Sequence, residues 1–214
     1  MAIVNGLATL TEFKSVLGIA AADTTDDAEL EDCVETASRD VEAYCGKGRK
    51  FWQDSTVVDR KYFPSNTACL YVDDISTTTG LVVKVDLDDD GTFETTLTID
   101  TDFAVRPVNA AADYPVRPWT RIVLLGGALS GWQCLSSGRP FVQVTAKFGW
   151  SAVPEAVKRA TLLQAKTLFK ADDTTFGTFQ LGIDGQARNV PRMDPVAAAR
   201  LEPFVRFDEV DDGG

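Results

Sequence analysis

One stretch, Phe141–Lys170, constrains the fold most, because it predicts a strand that leads directly into the longest helix of the chain. Residues 142–147 alternate between apolar and polar side chains, which is the two-residue period of a half-buried strand. An aromatic–glycine–aromatic step at 148–150 interrupts that period. The helix is predicted to begin after it, with Ser151 as a candidate N-cap and Pro154 in the first turn, where a missing N–H costs nothing. No glycine or further proline interrupts the chain before Lys170.

The faces of this predicted helix differ in composition. At about 100° per residue, small and apolar residues cover a broad arc. Charged residues lie opposite this arc, namely Glu155, Lys158, Arg159, Lys166 and Lys170. Two large apolar residues, Leu162 and Phe169, fall within the charged band. Either another part of the same chain covers them, or the helix is held between its own core and a neighbouring subunit, which makes both residues candidate subunit contacts.

The composition argues against several kinds of catalytic and binding site. The chain has 214 residues, enough for one large domain or one domain with an insertion, and a net charge of -11. Histidine is absent, which removes the commonest general base and metal ligand, and with them most catalytic triads and zinc hydrolase sites. The negative charge argues against a protein that holds nucleic acid through its phosphates, although DNA could pass through such a protein without binding.

The cysteines indicate a reduced protein. Cys33, Cys45, Cys69 and Cys134 form no CxxC pair and match no zinc-site spacing. No stretch has the apolar length of a membrane span, and the first residues lack the basic and apolar regions of a secretory signal. We therefore expect free, mostly buried thiols and a protein that is made and used without export.

Two helices are predicted before the β-rich part of the chain. Thr9 and Glu12 form a capping box at the start of the first helix, and Gly18 ends it. The second helix, at about 27–45, has its apolar residues within one arc of about 120° and acidic residues on the other side. Gly46 follows it as the C-terminal stop.

From Phe51 to Phe148 the pattern changes to short β-type runs separated by turn residues. The predicted strands are Thr56–Phe63, Cys69–Val72, Leu81–Val85, Thr95–Ile99, Phe103–Arg106, Thr120–Leu125 and Phe141–Phe148. This order predicts an α+β fold, in which a small helical bundle carries an inserted antiparallel β-rich region. The predicted division is 1–50 for the N-terminal helices, 51–148 for the insertion, 149–173 for the central helix and 174–214 for an extended C-terminal segment.

The C-terminal segment, 174–214, has a looser pattern. A short helix is predicted to begin at Asp194-Pro195, with Asp194 as its cap. The apolar area of 174–206 is too small to pack well alone, so we expect this part to be mobile before assembly and to dock into a groove of a partner. Its candidate contact residues are Phe176, Phe179, Leu201, Phe204 and Arg206.

Asp86–Gly91 is the motif with a chemical signature. It matches the beginning of a calcium loop, with carboxylates at positions 1, 3 and 5 and glycine at position 6. Position 12 is Leu97, where a bidentate Glu is needed, and the flanking residues have strand patterns. Asp-Gly between two β-type runs is a hairpin signal. We therefore predict a hairpin tip that binds no metal, while a calcium-stabilised β-type binding module and an unrecognised hydrolase stay as alternatives.

The order of these elements resembles the head–tail connector (adaptor, or head-completion) proteins of tailed phages. The resemblance covers most of the chain and rests on Leu10–Leu17, the helix ending at Tyr44-Cys45-Gly46, Asp88–Thr92 followed by Asp102–Val105, Val153–Val157, and Asp194-Pro195-Val196 with Leu201 and Pro203–Arg206. The central helix departs from the family pattern, because it runs into Lys170-Ala171-Asp172-Asp173 where a more basic ending is expected.

The resemblance implies a structural subunit without catalysis or cofactor, which forms a ring between the portal of the head and the tail. The implied partners are further copies of the chain (a dodecamer), the portal protein and a downstream neck or stopper protein. DNA would pass through the ring without sequence-specific binding, and no membrane is involved. The implied location is the neck of the virion, after assembly in the host cytoplasm. Another neck or tail-completion component is an alternative, and the sequence itself gives no ring stoichiometry.

Overall fold

The computed structural model describes residues 3–46, 49–64, 67–126, 129–133, 138–172 and 193–206. The elements are, in order, α1 (Leu10–Leu17), α2 (Asp27–Cys45), β1 (Val58–Tyr62), β2 (Cys69–Val85), β3 (Thr95–Leu97), β4 (Phe103–Arg106), β5 (Trp119–Leu124), β6 (Val142–Phe148), α3 (Glu155–Asp172) and α4 (Pro195–Leu201), with a 3-10 turn at Glu202–Phe204. The predicted α+β class is confirmed. Among the helices of this part of the chain, none combines the length and apolar character that crossing a bilayer requires.

The described chain divides into two compact units. The helical unit consists of the described residues before position 49 together with those in 153–206, and it contains all the helices. The β unit consists of the described residues in 49–152 and contains all the strands. The chain therefore leaves the helical unit after α2 and returns to it with α3.

The helical unit is arranged around α3, which packs against α1, α2 and α4. The apolar core that joins α1, α2 and α3 contains Ala8, Phe13, Leu30, Cys33, Val34, Ala37, Leu162 and Ala165. Lys14 is also buried, where it forms an ion pair with Asp27 and donates a hydrogen bond to the carbonyl of Asp23 at 2.6 Å. These contacts attach the loop before α2 to α1.

The predicted capping box of α1 is confirmed. The amide of Glu12 donates to the Thr9 hydroxyl at 3.2 Å, and the amide of Thr9 donates to the Glu12 carboxylate at 2.8 Å. The predicted cap of α3 is wrong, because α3 begins at Glu155 and Ser151 lies outside it. Since a residue that precedes proline is disfavoured in the helical region, the helix cannot extend back through Pro154 towards Ser151.

The β unit contains one antiparallel sheet in the strand order β1-β6-β2-β5-β4, with β3 paired to β2. Its central strands bury alternate residues: along β6, Val142, Val144 and Ala146 face the core and the residues between them are half-exposed. The core on this side also contains the large side chains of Ile75 and Phe103.

β2 differs from the prediction of two separate strands, Cys69–Val72 and Leu81–Val85, because it is continuous over 17 residues. The threonines at 77–79 are β-branched and favour the extended conformation that joins the two predicted pieces. Shifts in register on either side of Thr77 allow β2 to pair with β5 through its first part and with β6 and β3 through its last part.

The aromatic–glycine–aromatic step fixes the end of β6. Gly149 has a φ of 102°, and a Cβ at this position would lie 1.8 Å from the carbonyl oxygen of Trp52, so only glycine fits. The indole Nε1 of Trp150 then donates to the buried carboxylate of Asp74 at 2.9 Å. Arg49 Nε donates to the same oxygen at 3.1 Å, which balances the buried negative charge.

Candidate functional site

Both candidate contact residues of the central helix lie against other parts of the helical unit. Leu162 is 5% exposed and belongs to the core shared with α1 and α2. Phe169 is half-buried, and its ring meets the ring of Phe13 edge to face, with 6.4 Å between the centroids and 85° between the planes. Of the two interpretations, cover by the same chain therefore accounts for Leu162 and Phe169. The pattern of one helix shows which side is charged, but it does not show that two further helices pack against that side.

The C-terminal contact residues also differ from expectation. Leu201 is fully buried in the helical unit. Phe204 and Arg206 are half-exposed, and the Arg206 amide donates to the carbonyl of Cys45 at 2.8 Å. Residues 193–206 are thus part of the folded helical unit, which corrects the expectation of a mobile segment extending to position 206. Phe176 and Phe179 lie outside the described residues, so their proposed contact stays a prediction.

Gln164 is the residue that connects these elements, and sequence reasoning missed it. It is 2% exposed. Its side-chain Nε2 donates to Asp40 of α2 at 2.9 Å, and its Oε1 accepts from the amide of Asp194 at 2.9 Å. Asp194 in turn caps α4, as the sequence predicts, by accepting the amides of residues 196 and 197 at 2.9 Å. The sequence did contain a signal for this role, because Gln164 is an amide on a face of α3 that is otherwise small and apolar, and a buried amide needs hydrogen-bond partners.

The groove between α1 and α3 contains opposite charges that neutralise each other. Lys158 Nζ lies 3.1 Å from the Glu12 carboxylate and 3.2 Å from that of Glu155. Hydrogen bonds to Glu12 and Glu155 raise the pKa of Lys158. Partial desolvation opposes ionisation of Glu12, but hydrogen bonds from Thr9 and Lys158 outweigh it and lower the pKa of Glu12. Both groups are held in the charged form, so the groove is unsuited to proton transfer near neutral pH.

The acidic motif forms the loop of a hairpin, as predicted, because β2 and β3 pair antiparallel on either side of it. Asp86 is buried, and its two carboxylate oxygens accept the amides of Asp89 and Gly91, each at 2.8 Å. The structure adds a carboxylate that the calcium-loop template did not include. Within the described residues, Asp86, Asp88, Asp90 and Glu94 are the acidic group whose oxygens all lie within 4.8 Å of one another.

The charges around this loop compete with a cation. Partial desolvation and the negative charges of Asp90, Glu94 and Asp86 raise the pKa of Asp88. Hydrogen bonds from Thr92 and the charge of Arg139 lower the pKa of Asp90. Arg139 lies against the loop and donates to the carbonyl of Asp89 at 2.8 Å. The loop is therefore closed by its own hydrogen bonds and already has a protein cation beside it.

Comparisons with known proteins give a likeness in fold. No protein-family model matches the chain, and no curated protein matches its sequence. Among solved structures, a chain from the neck of an empty gene transfer agent particle, computed with C6 symmetry, matches with a TM-score of 0.54 and 17% identity, covering 100% of this chain and 97% of the other. At that identity the likeness shows a shared fold and nothing further.

Two further structures are similar at a lower level. A chain from the virion of a native gene transfer agent particle has a TM-score of 0.48 and 19% identity, with 89% of this chain and 94% of the other covered. A chain from the neck of the native particle, computed with C12 symmetry, has a TM-score of 0.48 and 18% identity, with 86% and 87% covered.

Proposed function

We propose that this protein is a structural subunit of the neck of a tailed-phage-like particle. One observation carries the proposal: the fold matches, from end to end, a chain from the neck of an empty gene transfer agent particle. The sequence resemblance to head–tail connector proteins supports the same conclusion, because it was reached from segments in both the helical and the β unit. Both lines concern proteins that serve as parts of an assembly.

In this role the chain forms a ring of identical subunits between the portal of the DNA-filled head and the tail. The portal lies on one side of the ring and a downstream neck or stopper protein on the other, and DNA passes through the centre. The net charge of -11 supports passage without retention, since like charges repel within a Debye length of about 8 Å at physiological salt. The subunit is assembled in the host cytoplasm and remains in the virion neck.

The role is structural rather than catalytic. The sequence has no histidine, and the ion-paired Glu12 and Lys158 are held in charged forms that do not exchange protons near neutral pH. A structural subunit of this kind needs large contact surfaces with its neighbouring subunits and with the portal.

The test is removal of the gene from the particle that encodes it. A neck subunit is required to join two finished structures, so we expect DNA-filled heads and separate tails in electron micrographs, with joining restored by adding the purified protein. Complete, tailed particles in its absence would contradict the proposal.

A further inference from the structure

The outward side of β1, β6 and the last part of β2 carries a row of lysines. Lys61 of β1 and Lys84 of β2 each lie directly opposite Gln143 of β6, so the three residues form one row across three strands. Lys147 lies on the same side of β6 as Gln143, because every second residue of a strand points to the same face. With about 4.8 Å between neighbouring strands, Lys61 and Lys84 are about 10 Å apart.

A separate pair of arginines lies on β4 and on β5, which pairs with the first part of β2, whereas Lys84 is in the last part of β2. Arg106 of β4 and Arg121 of β5 are directly opposite each other in the register. Ile122, the next residue of β5, is buried in the core, so Arg121 points outward. Like charges directly opposite each other destabilise a sheet unless something neutralises them.

Acidic groups border the row of lysines, because the acidic hairpin loop begins at Asp86, two residues after Lys84. Asp59 is on the same side of β1 as Lys61, and it accepts a hydrogen bond from the Thr145 hydroxyl at 2.5 Å. Lys61 lies over the ring of Phe93, 5.1 Å from its centroid. In the described part of the chain, none of Lys61, Lys84, Arg106, Arg121 and Lys147 forms an ion pair. The row of Lys61, Gln143 and Lys84, together with Lys147, is named the basic sheet face, and it is complementary to an anionic partner.

The opposite charge is concentrated on α2. Its acidic residues are Asp27, Glu29, Glu31, Asp32, Glu35, Asp40 and Glu42, against the single basic residue Arg39. Glu29 and Asp32 are exposed, lie one turn apart and form no ion pair with any described residue. These two residues form the acidic helix face, and neither carboxylate is ion-paired within the described chain.

We propose that the basic sheet face of one copy binds the acidic helix face of a second copy. The proposal rests on the proposed function, because it specifies how neighbouring subunits of the ring recognise each other. Two different surfaces meet, so the contact is heterologous, and its repetition can close a ring. A second copy is the occupant we propose, because the chain itself carries a carboxylate surface on α2 that is complementary to the lysines.

The experiment is a charge swap followed by sedimentation velocity at increasing protein concentration. Lys61→Glu with Lys84→Glu places like charges in the contact, and we expect self-association to weaken at least about tenfold. Glu29→Lys with Asp32→Lys should have the same effect. Combining all four substitutions restores opposite charges and should restore assembly. Added salt should weaken assembly of the unaltered chain.

The matched control is Arg159→Glu with Arg200→Glu, which changes the net charge by the same amount on the exposed side of α3 and α4. This control should assemble like the unaltered chain. Thermal melts check that each variant folds, and Lys61→Gln with Lys84→Gln replaces the glutamate variant if that one unfolds.

The outcomes separate the two proposals. An unaltered chain that stays monomeric alone and with portal contradicts the ring itself. If the unaltered chain assembles, and the sheet variants assemble to the same extent as the control, the contact between the two charged faces is wrong. The ring itself is then not contradicted. Binding of a short DNA duplex that is lost in Lys61→Glu with Lys84→Glu would assign the basic sheet face to phosphate and overturn the contact between copies.

Discussion

The rings of Phe13 in α1 and Phe169 in α3 meet edge to face, 6.4 Å apart. Such pairs contribute about 0.5–1.5 kcal/mol beyond the area that they bury. This contact, with Leu162 beside it in the same core, means that α1 covers a part of α3 whose sequence resembles an exposed face. The stability of the helical unit therefore depends on residues that appeared suited to a subunit interface.

We predict that Leu162→Ala lowers the free energy of unfolding by about 2–5 kcal/mol, since a buried leucine is replaced by a cavity. Leu125→Ala removes the same atoms from a side chain that is 47% exposed and should change stability by no more than about 0.5 kcal/mol. Urea unfolding of both variants measures the difference. Equal losses of stability in the two variants would show that Leu162 is not a core residue. A Leu162→Glu variant that folds but does not assemble would show that Leu162 belongs to a subunit interface.

The contact between Gln164 and Asp194 gives a second prediction. Asp194→Ala removes the cap of α4 and should cost about 0.5–2 kcal/mol, whereas Asp194→Asn keeps an accepting oxygen and should cost less. Hydrogen exchange over residues 195–201 should become faster in the alanine variant and faster still when Gln164→Ala is added. Unchanged protection of α4 in Asp194→Ala would show that the cap does not hold this helix in place.

The buried carboxylate of Asp74 gives a third prediction. Asp74→Ala leaves the charge of Arg49 and the Nε1 donor of Trp150 without this partner, so we expect a loss of about 3–5 kcal/mol. Asp113→Ala, which breaks the more exposed pair with Arg117, is the control and should cost at most about 1 kcal/mol. Thermal unfolding followed by tryptophan fluorescence compares them, and similar losses would contradict the account of Asp74.

The acidic hairpin loop gives a fourth prediction, that it binds no calcium at physiological concentrations. Leu97 cannot close the site, and Arg139 already supplies a cation. Melting temperatures in calcium and in chelator should therefore coincide, because a ligand that binds only the folded state must raise its stability. A rise of several degrees in calcium that Glu94→Gln abolishes would show that Glu94 completes a true site.

Local rules in the sequence predicted the elements whose causes are local. The capping box of Thr9 and Glu12, the ends of α2 and the hairpin after Val85 each depend on residues within a few positions of one another. The sequence did not reveal that β2 runs unbroken past Gly80, because this depends on which strands pair with it. Strand pairing is a property of the whole sheet, not of one segment.

The candidate site was harder to predict for the same reason. Whether Leu162 faces solvent or core depends on how α1 and α2 pack, which the pattern of one helix does not contain. The row of Lys61, Gln143 and Lys84 combines three strands distant in sequence and becomes visible only with the register. Glu94 belongs to the acidic cluster because the hairpin brings it close to Asp86. The calcium-loop motif expects ligands at fixed sequence positions, and Glu94 is not at one of them.

The central claim, a ring subunit that docks on a portal, is tested most directly by light scattering of the purified protein alone and with purified portal. The chain has a mass of 23.2 kDa. The account predicts either a species of the protein alone whose mass is this value times a whole number greater than one, or a complex with portal whose mass exceeds that of portal by such a multiple. A protein that remains at 23.2 kDa at every concentration and elutes separately from portal would contradict it.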